Sequence, residues 1–260
     1  MGEDTLGGAG WVLDPAARRA VLLVQSRHAL ATGDPAAAVV LAEELLDDTP
    51  GEVEALLVIA DAAPRYGHGE VGALAAVQAA RLGAETGALQ AAALLSACSV
   101  QEALTVAEQT LERRPDDARA HAVRGQALDL LGRRGEADLA LGRAHALRPD
   151  AYPLSLRVGA DAWDGILLTA LSGLDDSLRD LVRTAQLEVC DLPDVARLAA
   201  TQPPPSPLAD VLLLDPDATP LEVQVYRRNL CRGAASEAEL TDRLRQALAA
   251  ELELALTEDD

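Results

Sequence analysis

The chain has 260 residues, with 22 basic and 42 acidic side chains, a formal net charge of −20, 49% apolar content, 2% aromatic content and no Phe. The apolar fraction excludes wholesale disorder. The charge excludes nucleic acid and anionic membrane surfaces as main partners, because both require clustered positive charge.

Every basic residue is Arg, Ile occurs only at Ile59 and Ile166, and Asn only at Asn229. This bias against AT-rich codons points to a high-GC bacterial gene. No run approaches the ~18 consecutive apolar residues of a membrane-spanning helix. The opening MGEDTLGGAG lacks the basic and apolar regions of a signal peptide. Cys98, Cys190 and Cys231 are odd in number and widely separated, which fits a reducing compartment and not a disulfide framework. The expected location is the cytoplasm.

In chain order, residues 1–14 read as a flexible N-terminus. Residues 15–151 are rich in Ala and Leu at helical spacing, broken by Gly, Asp and Pro. The clearest unit runs from Ala118 to Ala151. Gly125 and Leu128 lie in its first helix, Gly132 in the turn, Ala137 and Ala144 in its second helix, and Pro149 near its end. Small side chains at helix crossings let two helices approach to about 8–10 Å. Proline stops the second helix. This pattern resembles the tetratricopeptide repeat. Pro115 lies 34 residues before Pro149 and ends a unit from Ala84 to Asp117, with Ala91, Ala103 and Thr110 at its small positions. A unit from Arg19 to Glu52 has Ser26, Gly33, Ala38 and Pro50 in register, with the larger Leu45 at its third small position. The second unit, Val53 to Gly83, is irregular, and Pro64 and Gly67 are expected to shorten its first helix. The expectation is about four hairpins.

Such arrays, as the resemblance implies, bind a peptide or partner protein in the groove formed by their first helices. The groove positions here are Leu23, Arg27, Leu57, Asp61, Arg119, Ala122 and Gln126, with Ala20, Glu54, Ala88 and Ala92 beside them. Scattered Arg without Asn provides no clamp for a terminal carboxylate. The net charge favours a basic partner. The alternative is that the second half of the chain fills its own groove.

After Tyr152 the periodicity changes. Two helices are followed by QLEVC, ADVLLL and LEVQVYRR, which read as strands separated by the QPPPSP loop. A helix of about 20 residues follows, opened by Ser236 and Glu239 as a capping box. The region 152–260 thus reads as a small α+β unit. Its order resembles the small bacterial zincin-like metallopeptidases. The resemblance rests on Val189-Cys190-Asp191-Leu192-Pro193, on the strand Val223–Leu230, and on the helix Ala234–Leu256. Where that family has its HExxH motif, this chain has Ala250, Glu251 and Leu254. Two imidazoles at i and i+4 are needed to point at one zinc ion. Only the carboxylate position, Glu251, remains, as a vestige. Leu254 is expected to contribute apolar burial instead.

The fold class is therefore mainly α: a tetratricopeptide-type solenoid followed by a degenerate zincin-like α+β domain. No metal site, cofactor or catalytic residue is expected. His28, His68, His121 and His145 read as surface or turn residues, the three Cys as packing, and the acids Glu251, Glu253, Glu258, Asp259 and Asp260 as a solvated helix end. Trp163 reads as the anchor of the second core, Tyr226 as a packing residue or the edge of the former cleft, and Trp11 as a cap on the repeat stack. The function expected is a non-catalytic adaptor that binds a protein or peptide, with no nucleic acid and no membrane as partner. The alternatives are a metal-dependent peptidase or hydrolase with an atypical site around Glu251, and an assembly chaperone.

Overall fold

The computed structural model describes residues 14–201, 204–215, 218 and 220–257. Trp11 and the tail acids Glu258, Asp259 and Asp260 lie outside the described residues, as do Gln202 and Pro203 of the proline loop and most of the proposed N-terminal tail.

The first eight helices pair in chain order. They are α1 (Pro15–Thr32) with α2 (Pro35–Asp48), α3 (Val53–Ala62) with α4 (Gly69–Arg81), α5 (Gly87–Ser96) with α6 (Val100–Arg113), and α7 (Ala118–Leu130) with α8 (Arg134–Leu147). Local chemistry sets their ends. The Asp34 and Asp117 side chains accept from the backbone N–H of Ala37 and Ala120, each at 3.0 Å, and so cap α2 and α7. Gly132 turns α7 into α8 at φ +76°, a conformation that glycine adopts without steric cost. α3 stops at Ala62, where Ala63–Tyr66, containing Pro64, form a short 3-10 turn before Gly67.

The hairpins close through small residues. A Cβ on Gly125 would lie 2.6 Å from Leu141 Cγ, so α7 and α8 meet there with nothing to spare. Ala137 and Ala144 are fully buried beside it. Successive first helices pack on one another, α1 on α3, α3 on α5 and α5 on α7, which makes theirs the inner face of the stack.

The rest of the chain comprises α9 (Ala160–Ser172), α10 (Asp176–Thr184), β1 (Gln186–Cys190), α11 (Val195–Ala199), β2 (Val211–Leu213), β3 (Glu222–Tyr226), α12 (Arg227–Cys231) and α13 (Glu237–Thr257). The three strands form one sheet in the order β1-β3-β2, with β1 parallel and β2 antiparallel to β3. At the start of α13 the Glu239 N–H donates to Ser236 Oγ at 3.2 Å, and the Glu239 carboxylate accepts from Ala235 N–H at 2.9 Å, one residue earlier than in a standard capping box. Leu240, Leu244, Leu248 and Leu252, four residues apart, form its fully buried stripe against Trp163, Ile166, Val211, Val223 and Val225.

Two sequence expectations change. The segment Val223–Leu230 is not one strand. The strand ends at Tyr226 and α12 follows. Successive strand residues point to opposite faces, whereas a helical turn places Arg228 and Arg232 on one side, where both reach Asp129. Leu254 is 57% exposed, because the buried stripe of α13 runs through Leu252, two positions away, so Leu254 adds little burial. Of the two readings of Tyr226, the structure shows the packing one. Tyr226 is fully buried with Cys98, Leu198 and Leu212, and its hydroxyl donates to Gln224 Oε1 at 2.9 Å. Its burial raises the phenol pKa.

The two halves are locked together. Asp129 of α7, 1% exposed, pairs with Arg228 at 2.8 Å and with Arg232 at 3.4 Å. Arg134 of α8 pairs with Asp191 at 2.8 Å. Val195 and Leu208 pack on the core of α5–α8. Among the described residues no helix is long and apolar enough to cross a membrane.

Candidate functional site

A cavity of about 830 Å³ lies between the inner face of the helical hairpins and the C-terminal half. Ala60 and Asp61 of α3, Ala92, Leu95 and Ser96 of α5, and Arg119, Ala122, Val123 and Gln126 of α7 form one wall. These are all first helices of their hairpins, and the inner face brings them together. Small residues at 60, 92 and 122 leave the volume open. The opposite wall is the loop around Pro205, Leu208 and Ala209, with Leu212 of β2 and Glu251 of α13. Arg148 and Tyr152, at the end of the last hairpin, close one side.

Three charged side chains of the cavity pair with one another. Asp61 accepts from Arg119 at 2.8 Å and from Arg65 at 2.9 Å. Burial pulls the Arg119 pKa down, but Asp61 and Tyr152 outweigh it and hold the guanidinium above its ordinary value. Glu251 Oε2 accepts from the Leu213 N–H at 3.1 Å. Burial pushes the Glu251 carboxyl pKa up, and that hydrogen bond opposes the shift only in part.

Of the residues read from sequence as groove positions, Asp61, Ala92, Arg119, Ala122 and Gln126 line this cavity, and so does Glu251. Leu23 and Leu57 do not. They pack, partly buried, on the core of the first hairpins. Arg27 is exposed and pairs with Glu54. The sequence reading missed Pro64, Arg148, Tyr152, Pro205, Leu208 and Leu212. The available signal for the loop was its run of prolines, which favours an extended, preformed segment suited to lying in a groove.

The cavity combines small and apolar residues with Asp61, paired to Arg119 and Arg65, with Arg148 and Glu251, and with the polar groups of Gln126 and Ser96. Among the described residues none of the four His lines it, and no group of three His, Cys, Asp or Glu side chains could hold a metal ion. His121 Nε2 contacts the Pro115 carbonyl at 2.8 Å, His145 Nδ1 contacts the Tyr152 carbonyl at 3.1 Å, and His68 packs edge-on against Tyr66. Cys190 packs near Tyr226, while Cys231 belongs to the Trp163 core, so the two thiols serve separate clusters. Burial raises the pKa of all three thiols.

No family model matches the sequence, and no curated protein matches it. Among solved structures, the fold is similar to that of TTC0263, a thermophilic TPR protein of Thermus thermophilus, at 23% identity over 50% of this chain and 75% of that one, with a TM-score of 0.46. MamA of Desulfovibrio magneticus is similar at 22% identity over 51% of this chain and 77% of that one, with a TM-score of 0.42. An O-GlcNAc transferase variant of Thermobaculum terrenum matches 91% of this chain and 41% of its own, at 18% identity and a TM-score of 0.47. At TM-scores below 0.5 these likenesses carry no argument about this chain. The chain is mainly helical, with a small sheet.

Proposed function

We infer that this protein is a non-catalytic interaction scaffold of the tetratricopeptide kind, with a groove that takes a peptide segment of a partner protein. The observation that carries the reading is the cavity between α3, α5 and α7 and the C-terminal half, with its small-residue floor and the Asp61–Arg119 pair. Recognition there comes from burial of an apolar side chain against Ala92, Leu95 and Val123, with polar fixing by Arg119 and Gln126. The charge of −20 steers basic partners toward the molecule.

In this reading residues 15–151 form the groove and residues 152–260 are a metallopeptidase-like unit without its chemistry. Supporting the second part are the antiparallel edge strand β2 beside α13 and the position of Glu251, which is tied to that strand's backbone. Ala250 and Leu254 offer no metal ligand. The C-terminal half then serves as a wall that narrows the groove.

The test is selection of peptides from a displayed random library on the intact chain, followed by fluorescence anisotropy of the enriched sequences. Ala92 is half-buried and faces the cavity. Ala92→Trp is expected to fill the cavity and weaken the selected peptides at least about tenfold, the loss of one buried anchor. Enriched peptides that ignore Ala92→Trp, or one bound zinc per chain with peptide hydrolysis, would overturn the reading.

A further inference from the structure

A second cavity, of about 650 Å³, lies at the joint between the halves. The end of α7, the start of α8, the extended segment 153–159 and α12 surround it. Five of the 22 arginines of the chain line it: Arg134, Arg157, Arg227, Arg228 and Arg232. They face three carboxylates, those of Asp129, Asp138 and Asp191. A protein of charge −20 thus concentrates an excess of positive charge in one hollow.

The pairing leaves this excess open. Asp191 is shared between Arg134 and Arg227, and Asp129 between Arg228 and Arg232. Two carboxylates therefore serve four guanidinium groups. Asp138 is largely exposed and only 3.7 Å from Arg228. Arg157, on the exposed segment, makes no ion pair among the described residues. The buried Nε atoms of Arg227 and Arg232 have no hydrogen-bond partner there either. A guanidinium offers five N–H donors in a rigid fork that matches phosphate oxygens. A lock between the two halves needs Asp129 with its partners, but it does not need Arg157. The remaining wall is mostly apolar, with Leu154, Leu156, Val158, Cys231 and Trp163 beside the hydroxyl-bearing Ser155.

We propose that this joint is a binding site for a small phosphate-bearing anion, with its oxyanion held by Arg157, Arg134 and Arg227 and its body against Leu154 and Trp163. The site is separate from the peptide groove and independent of that reading. Its occupant neutralises the surplus charge and ties the segment 153–159 to α8 and α12.

Trp163 lies in the wall and is one of two tryptophans. Trp11→Phe leaves it as the sole reporter in the intact chain. Pyrophosphate and ADP are titrated separately at constant ionic strength, so that general screening does not register as binding. The expected result is a saturable change in Trp163 emission with both anions. Arg157→Ala and Arg134→Ala each weaken binding about tenfold, the loss of a charge-assisted hydrogen bond. Arg157→Ala keeps the wild-type unfolding temperature, because that side chain supports no ion pair. Tighter ADP binding assigns the apolar wall to the organic body, and equal affinities restrict recognition to the phosphates. No saturable response to either anion, or a response that both Arg variants leave unchanged, overturns the proposal.

Discussion

The Cys98 thiol donates a hydrogen bond to the carbonyl oxygen of Pro205 at 3.3 Å, across 107 residues of chain. Cys98 lies 34 residues before Gly132, at the same turn position of the preceding hairpin. It adopts φ +59°, and among the described residues it is the one non-glycine at positive φ. A side chain in this conformation costs about 1–2 kcal/mol. The hairpin accepts that strain at the point where the loop forming the far wall of the groove is anchored, and the buried cluster with Leu198, Leu212 and Tyr226 offsets it.

Replacing Cys98 therefore separates strain from anchoring. Cys98→Val puts a β-branched side chain into the left-handed region and is expected to cost about 2 kcal/mol in urea unfolding. Cys98→Gly removes the strain together with the thiol, and its unfolding free energy is expected within about 1 kcal/mol of wild type. In that variant limited proteolysis should cut the loop at 204–210 faster. Unchanged cleavage there would show that the thiol is not an anchor.

Asp129 is the buried counter-charge for two arginines. Asp129→Ala leaves Arg228 and Arg232 facing each other without it, and is expected to destabilise the chain by about 3 kcal/mol. Burial already lowers the Arg232 pKa. Arg232→Met in the Asp129→Ala background should recover part of that loss, and a double-mutant cycle in urea measures the coupling.

Two helical glycines should respond in opposite directions. Gly125→Ala drives a Cβ into Leu141 and is expected to cost about 1–3 kcal/mol. A Cβ on Gly142, inside α8, meets nothing within 4 Å, so Gly142→Ala is expected to stabilise by about 0.5–1 kcal/mol. Thermal unfolding of the two variants checks both signs.

Glu251 makes stability depend on pH. Its folded-state pKa is raised, so between the ordinary carboxyl value and the raised one the unfolded chain has lost a proton that the folded chain still holds. Stability from this group is complete below the ordinary value and falls as pH climbs through that window. Glu251→Gln keeps an oxygen for the Leu213 N–H and removes the charge. Relative to wild type it should gain stability at pH 7 and gain little at pH 4. An equal difference at both values would rule out the burial effect.

Local features were legible without coordinates. The prolines 34 residues apart, Gly132 in the turn and the small residues Gly125, Ala137 and Ala144 each act within one hairpin, over one or two helical turns. The Ser236–Glu239 cap and the break at Pro64 are equally local. Such signals depend on backbone geometry and on neighbours three or four residues away, so the chain states them directly.

Tertiary structure alone decided which of those faces meet. Asp61, Arg119, Ala122 and Gln126 share a cavity with Glu251, while Leu23, Arg27 and Leu57, from the same periodic pattern, do not. The turn of α12 that replaces the end of a strand brings Arg228 to Asp129, 99 residues earlier. Pairings across such distances rest on ordinary Arg and Asp residues, and only the closed chain, where burial makes one pairing cheaper than the rest, distinguishes them from the other charges on its surface.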